Sequence, residues 1–241
     1  MKISIITPSL NQGEYINDCI KSVLNQNYEN FEHIIVDAVS SDSTLSVIAK
    51  YSHLKLISEK DNGPAEAINK GFKAATGDIV AWLNADDFYD ENVFHTVARK
   101  FIENSKLNYL YGNLTFVDAD KKILLKDKTK KVNFNSLINC SPDIRQPCSF
   151  FKKDIINKVN YLNENLKLVF DYDLFIKLTK VTQPEYIDMN FTFYRDHAKT
   201  LTRKNVRKQS MEIFKTARSH GGKLLTPITK LVIIRLIKGE L

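Results

Sequence analysis

The chain has 241 residues, 43% of them hydrophobic, so it can bury a substantial core without disulfide or metal staples. Its three cysteines, Cys19, Cys140 and Cys148, are widely spaced, with no Cys-x-x-Cys pair and no histidines at zinc-ligand spacing, which argues against a disulfide framework or a structural zinc site. The net charge of +7, most of it after Lys121 and much of it beyond Arg195, suits nucleic acid, an anionic membrane or a nucleotide diphosphate until its location decides among them. The opening residues, Met1 to Pro8, lack the apolar core and cleavage site of a secretory leader, and a cytoplasmic location is expected.

Through the first hundred residues short apolar runs alternate with helical spacing. Ile3 to Thr7 reads as a strand, Glu14 to Gln26 as a helix, Phe31 to Asp37 as a strand and Asp42 to Lys50 as a helix. Leu54 to Ser58 follows as a strand, Pro64 to Ala74 as a helix with its proline in the first turn, and Ile79 to Leu83 as a strand. Repeated β-α-β units predict a mainly parallel sheet with right-handed crossovers. Gly71 and Gly77 suit turn or cap positions, or close backbone packing. After a helix around Asn92 to Glu103, the apolar runs flanking Asp118-Ala119-Asp120-Lys121 predict a hairpin over Tyr109 to Leu125. Lys126 to Lys131 reads as a solvated basic loop, Phe134 to Ile138 as a short amphipathic helix, and Pro142 and Pro147 punctuate a loop before the apolar Cys148 to Phe151. Asp171 to Lys180 has helical spacing, Tyr186 to Tyr194 reads as one or two strands, and from Arg203 two more helical patterns are separated by Gly221-Gly222.

Polar groups interrupt the pattern where the strands end. Pro8-Ser9-Leu10-Asn11 follows the first strand, Asp37 ends the second, Glu59 to Asn62 follows the third, and Asn84-Ala85-Asp86-Asp87 follows the fourth. In a parallel sheet these ends share the carboxyl edge, where open α/β folds bind ligands. Clustered carboxylates there suit Mg²⁺ or Mn²⁺ held with a phosphorylated substrate, although a strand-ending Asp pair also reads as a helix cap. Such loops would bind a nucleotide through base and ribose, with a cation over its phosphates. No Gly-x-Gly-x-x-Gly follows the first strand and the Walker A lysine loop is absent, which argues against a dinucleotide site.

An ordered set of motifs extends this reading. They are Ile5 to Asn11, Glu14-Tyr15-Ile16, Ser22 to Gln26, Ile35-Val36-Asp37, Ser41 to Thr44, Ala67 to Gly71, Ala75 to Asp78 and Leu83 to Asp87. Gln146-Pro147, Phe170 to Leu174 and Tyr194-Arg195-Asp196-His197 continue it. Together, over residues 2–202, they resemble the family 2 glycosyltransferases of the GT-A fold, in the subgroup that builds bacterial surface polysaccharides. The resemblance implies an α/β fold, a Rossmann-like, mainly parallel mixed sheet flanked by helices, with a helical C-terminal tail.

It also implies site roles. Thr7, Pro8, Ser9, Asn11 and Asp37 would hold the base and ribose of a nucleoside-diphosphate sugar, a UDP-sugar being favoured, and Asp61, Asn62, Glu66 and Asn69 would line the same pocket. The Asp-x-Asp motif falls on Asn84-Ala85-Asp86, so Asp86 becomes the main ligand of Mn²⁺ or Mg²⁺, with Asn84 left to bond a ribose or a metal-bound water. His197 would ligate the metal or donate to a phosphate, Arg195 would neutralise phosphate charge, and Gln146 would approach the sugar or acceptor. An inverting transfer needs a base for the acceptor hydroxyl, and the matching carboxylate is Asp171, with Asp173 as fallback and Phe170 in place of the usual acidic neighbour. Capping roles compete at Asp37 and Asp171.

The family's glycine after Asp37 is replaced by Ala38-Val39, and Val39 disfavours a left-handed turn, so a reshaped loop over the nucleotide is expected. Glu66 stands where the subgroup usually has Asp. The division expected is a GT-A domain over residues 1–202, with a nucleotide-sugar half over 1–105 and an acceptor half over 106–202, followed by a basic amphipathic tail over 203–241. Residues 223–241 are too short and too charged to span a bilayer. They suit peripheral contact with the inner face of a membrane carrying a lipid-linked acceptor, or a helix that closes the core or a homo-oligomer interface. The partners expected are a donor sugar nucleotide and a glycan or lipid-linked acceptor, and no nucleic acid. The rival readings are a catalytically inactive nucleotide-sugar-binding protein, motivated by Asn84 and Phe170, and a nucleotidyltransferase, whose Gly-rich lysine loop is missing.

Overall fold

The computed structural model describes residues 1–142, 145–197 and 205–238. Four parallel strands open it: β1 (Ile3–Ser9), β2 (Phe31–Asp37), β3 (Leu54–Ser58) and β4 (Ile79–Trp82), joined by α1 (Ile16–Leu24), α2 (Thr44–Ile48) and α3 (Pro64–Ala74). Then come β5 (Phe88–Tyr89), α4 (Val93–Glu103), β6 (Tyr109–Val117), β7 (Ile123–Asp127), α5 (Phe134–Asn139), β8 (Ser149–Lys152), α6 (Lys153–Lys158), α7 (Phe170–Val181) and β9 (Glu185–Arg195). Two tail helices, α8 (Val206–Ser219) and α9 (Pro227–Lys238), finish the described chain.

The nine strands form one mixed sheet in the order β3-β2-β1-β4-β8-β6-β9-β5, with β7 bonded to β6 off that path. Strand β8 is antiparallel to both β4 and β6, so it is the seam between the N-terminal parallel half and the rest. Strand β6 runs parallel to β9 along one side, while β8 and β7 share its other side.

Alternation along the strands divides the core between the two faces of the sheet. Ile6, Trp82, Tyr109, Tyr111 and Phe151 face a layer that includes Ile68 and Phe72 of α3, Leu174 and Phe175 of α7, and Ile213 of α8. Trp82 stacks on Phe151 and Phe175 with ring centroids 6.1 and 6.3 Å apart. Ile3, Ile5, Leu110, Phe150 and Phe191 face the other way, against Phe94, Val97 and Phe101 of α4.

Several boundaries differ from expectation for local reasons. Helix α1 starts at Ile16 because the Gln12 carbonyl accepts from the Tyr15 and Ile16 amides, which form a separate turn first. Helix α2 is only Thr44–Ile48, since the Asp42 carboxylate binds the Thr44 hydroxyl and the Gly13 and Thr44 amides instead of entering the helix. The hairpin forms as expected but extends through Asp127, so the first residues of the expected basic loop are strand. Tyr186 to Tyr194 lies in one continuous strand, while the two-residue β5 and the one-and-a-half-turn α6 carry too little periodicity to be read from sequence. Residues 198–204, including the expected tail boundary, lie outside the described residues.

The tail is not a detached appendage. Ile213, Ala217, Ile228 and Val232 are buried in the same core cluster as Trp82, so α8 and α9 close that face. No helix among the described residues is long and apolar enough to cross a membrane.

Gly71 and Gly77 are close-packing positions, not left-handed turns. A Cβ at Gly71 would lie 2.3 Å from Ile6 Cγ2, which fixes how deeply α3 sits on β1. Gly71→Ala is therefore expected to lower the unfolding free energy by about 1–3 kcal/mol through overpacking, read by urea denaturation with the slope unchanged.

Candidate functional site

The carboxyl ends of β1, β2 and β4 open onto a cavity of about 810 Å³. Of the residues expected in the site, Pro8, Ser9, Asn11, Asp61, Asn84, Ala85, Asp86, Gln146, Asp171 and His197 line it. The Ser9 hydroxyl is buried beside the cavity with no hydrogen-bond partner among the described residues.

Asp86 and Asp87 take different environments although adjacent. Asp86 keeps its carboxylate at the cavity, with Oδ2 3.0 Å from His197 Nε2. The His197 ring lies against Tyr15, with centroids 4.7 Å apart. Asp87 turns inward and is wholly buried. Burial and the neighbouring Asp86 charge push its carboxyl well above the ordinary range, against the bonds it accepts from the Arg195 amide (3.0 Å) and Asn84 Nδ2 (3.1 Å). Asn84 also reaches Gln146 Oε1 at 3.3 Å, and Gln146 Nε2 donates to the Trp82 carbonyl at 2.6 Å. Gln146, Asn84 and Asp87 thus form a chain of bonds that sets the loop carrying Asp86.

Asp171 lies in the first turn of α7 and lines the cavity while partly buried. Desolvation raises its carboxyl to about 6, although the Tyr172 amide donates to Oδ1 at 2.8 Å. Asp173, the fallback, points elsewhere. It pairs with His220 Nε2 (2.8 Å) and Lys177 Nζ (3.3 Å), and against the opposing effect of burial these partners hold its carboxyl below the usual range. Asp61 also lines the cavity, and burial raises its carboxyl despite the bond from the Gly63 amide.

Six expected residues do not line this cavity. Thr7 is buried and shares a 2.9 Å hydrogen bond with His33 Nε2. Asp37 has no exposed surface and accepts from the Ser40 amide and hydroxyl at 2.8 and 2.6 Å, so its carboxylate shapes the β2 loop. Asn62 and Glu66 border a separate cavity of about 320 Å³, where Glu66 accepts from the Asn62 amide and pairs with Lys70. Asn69 bonds both the carbonyl and the amide of Leu162 and joins α3 to the segment before α7.

Arg195 departs furthest from its expected place. Only 2% exposed, its guanidinium donates to the Asp86 carbonyl (2.9 Å), the Ala119 carbonyl (2.5 Å) and Asp18 Oδ2 (2.7 Å), and it lies over the rings of Tyr15 and Phe88. It ties loops beneath the cavity together. Val39, for its part, does adopt the left-handed conformation, at φ 60°, and the loop holds its turn with a β-branched residue at a cost of about 1–2 kcal/mol. Ser40 donates to Asp37, while Asn11 bonds Ser40 Oγ through its amide and the Ser41 amide through its side chain.

The cavity also has walls that sequence reasoning did not find. Arg145 lines it beside Gln146 and pairs with Asp127 at 2.8 Å. Lys167, Gln209 and Arg235 line it too. Arg145 adjoins a motif already singled out, whereas Gln209 and Arg235 reach the cavity only because the tail folds back.

Solved structures show the fold. Staphylococcus aureus TarS, residues 1–349 in complex with UDP-GlcNAc, matches with a TM-score of 0.74 at 19% identity, over 99% of this chain and 73% of that one. A mannosyltransferase of Pyrobaculum calidifontis in complex with GDP-Man and Mn²⁺ matches with a TM-score of 0.66 at 14% identity, over 99% and 80%. The fold is that of the GT-A glycosyltransferases.

The family model "Glycosyl transferase family 2" matches residues 4–159, and the chain belongs to that family. An uncharacterised glycosyltransferase of Rickettsia conorii is 31% identical over 169 residues, 68% of this chain and 27% of that protein. The Escherichia coli UDP-Glc:alpha-D-GlcNAc-diphosphoundecaprenol beta-1,3-glucosyltransferase WfgD is 32% identical over 142 residues, 57% of this chain and 56% of its own. The chain spans between a quarter and three fifths of the length of the curated relatives it matches.

Because the Arg195 fork joins three groups that no ammonium can reach together, Arg195→Met and Arg195→Lys are both expected to destabilise the fold, the former by about 3 kcal/mol in urea denaturation.

Proposed function

We propose that this chain is a metal-assisted, inverting glycosyltransferase that moves a sugar from a UDP-sugar to a glycan or lipid-linked acceptor in bacterial surface-polysaccharide assembly, at the inner face of the membrane. One observation carries this reading: the Asp86–His197 pair and the desolvated Asp171 carboxylate line the same cavity. The UDP-GlcNAc complex of TarS and the activity in the name of WfgD support a UDP-sugar and a lipid-linked acceptor.

The donor set suits Mn²⁺ or Mg²⁺. Among the described residues no three His, Cys, Asp or Glu side chains cluster at metal spacing, but such hard cations are commonly held by one or two carboxylates completed by substrate phosphates. Asp86 and His197 would hold the ion, with Asn84 beside them to bond a ribose or a coordinated water. Bound there, it would neutralise the charge of the departing nucleoside diphosphate.

The chain's own groups do the remainder. Pro8, Ser9, Asn11, Asp61 and Ala85 shape the donor pocket. Thr7, Asp37, Asn62, Glu66, Asn69 and Arg195 act on it indirectly by holding the surrounding loops. Asp171 takes the proton of the acceptor hydroxyl as that oxygen bonds the anomeric carbon and the bond to the diphosphate oxygen breaks. A carboxyl titrating near 6 is ionised at neutral pH yet more basic than an exposed aspartate, which suits that task. This polarised site favours a working enzyme over an inactive binder.

The pH dependence follows. Below about pH 6 Asp171 is protonated, so kcat/KM should fall with unit slope on the acid side and level off above it. Asp171→Asn should lower kcat by about 10²- to 10⁴-fold while leaving the UDP-sugar thermal shift in place.

The same substitution should stabilise the protein. The folded carboxyl titrates near 6 and the unfolded one near 3.8, so the folded state binds more protons between these values and loses stability as pH rises through them. At pH 7 the Asn variant, which removes that ionisation, should gain up to about 3 kcal/mol in urea denaturation.

Asp86→Ala should abolish the part of the UDP-sugar thermal shift that depends on Mn²⁺. A wild-type chain whose melting no nucleoside diphosphate or sugar nucleotide shifts, with or without Mn²⁺, would overturn the donor-site assignment.

A further inference from the structure

Strand β7 exposes three consecutive large apolar residues, Ile123, Leu124 and Leu125, at 51%, 54% and 57%. Normal alternation would turn Leu124 to the face opposite its neighbours, but the ladder slips there. Val117 pairs with Ile123 and Phe116 with Leu125, leaving Leu124 as the bulged residue. The strand bonds only β6 among the described strands, and an apolar edge of this kind is normally covered or broken by charge.

The charge lies around it. Lys122, Lys126 and Lys131 are exposed and make no ion pair or hydrogen bond through their side chains with any described residue, while Lys121 and Lys128 pair with Asp18 and Asp188 at 2.9 and 3.0 Å. Apolar side chains flanked along the chain by these lysines, which outnumber the exposed Asp120 of the adjoining turn, are poor ground for a second copy of a chain with net charge +7, because the like charges would meet. They are complementary to an anionic lipid surface, into which leucines insert while lysines stay at the headgroups.

The patch also borders the cavity. Phe116, the β6 partner of Leu125, lines it, and so does Arg145, which pairs with Asp127 at the end of β7 and lies over the Phe116 ring. The tail approaches the same opening. Arg235 of α9 lines the cavity, and on that helix Ile233 and Ile234 are 49% and 38% exposed while Ile228 and Val232 are buried.

We propose that the β7 hairpin, through Ile123, Leu124 and Leu125 with Lys122, Lys126 and Lys131, is a membrane-docking element for an anionic lipid surface and brings the cavity to that surface. The assignment stands apart from the donor-site reading, since it rests on other residues.

The test is sedimentation of the full chain with vesicles of phosphatidylcholine alone or mixed equally with phosphatidylglycerol. The wild type should bind the mixed vesicles and not the neutral ones. Leu124→Glu with Leu125→Glu, and separately Lys122→Gln with Lys126→Gln and Lys131→Gln, should each weaken binding by about tenfold or more. Both variants should keep the wild-type melting temperature and far-ultraviolet circular dichroism, which reports that they fold. Wild-type affinity in the leucine double variant would overturn the proposal, as would failure of the wild type to bind the mixed vesicles. Lipid-independent dimerisation lost in that variant would likewise overturn it and assign the strand to a second copy.

Discussion

One buried guanidinium holds the machinery of this domain in register. Arg195 stands at the end of β9, yet it reaches the carbonyl of Asp86 after β4, the carbonyl of Ala119 in the β6–β7 turn and the carboxylate of Asp18 on α1. Its own amide donates to Asp87. Four segments far apart in the chain therefore meet at one charged group, and two of them carry the groups that face the cavity, Asp86 and His197. The pair of Asp18 with Arg195, flanked by Tyr15 and Phe88, keeps the cation compensated where water cannot.

That arrangement explains how two neighbouring carboxylates come to do different work. Asp87 is buried and spent on the Arg195 amide and Asn84, so it serves the loop. Asp86 remains at the cavity beside His197. Asn84 in the first motif position fits the same logic, because its amide donates to Asp87 and Gln146, a task that a carboxylate could not perform. An amide in that position removes one negative charge from the loop and adds two hydrogen bonds that fix it.

The βαβ half and the four strand ends were legible from apolar spacing alone, because β1 to β4 are short buried runs bounded by turn residues. Asp86, Asp171 and His197 were placed by the family motifs that they match, and all three line the cavity. Arg195 does not. Its motif gave its place along the chain, but whether a guanidinium points into a cavity or beneath it depends on Asp18 and Ala119, which sequence does not associate with it. Asp37 and Thr7 show the same limit: a polar residue at a strand end can spend its bonds on its own loop or on a neighbouring strand. Arg235 and Gln209 were out of reach because they join the cavity only through the packing of Ile213, Ile228 and Val232 on the central core.

The position of β8 carries a consequence for assembly. Residues of β4 pair on one side with β1, completed early in the chain, and on the other with Phe151 and Lys152. As the chain grows from its N-terminus, the Ile79-Val80-Ala81-Trp82 edge stays uncovered through the whole of α4, β6, β7 and α5. An open strand edge beside an apolar face is a template for pairing with other chains. The N-terminal parallel half is thus no independent module to be grafted or expressed alone. A fragment cut before β8 would keep most of the loops that line the cavity but lose the strand that seals the sheet beneath them, and aggregation would be its expected fate.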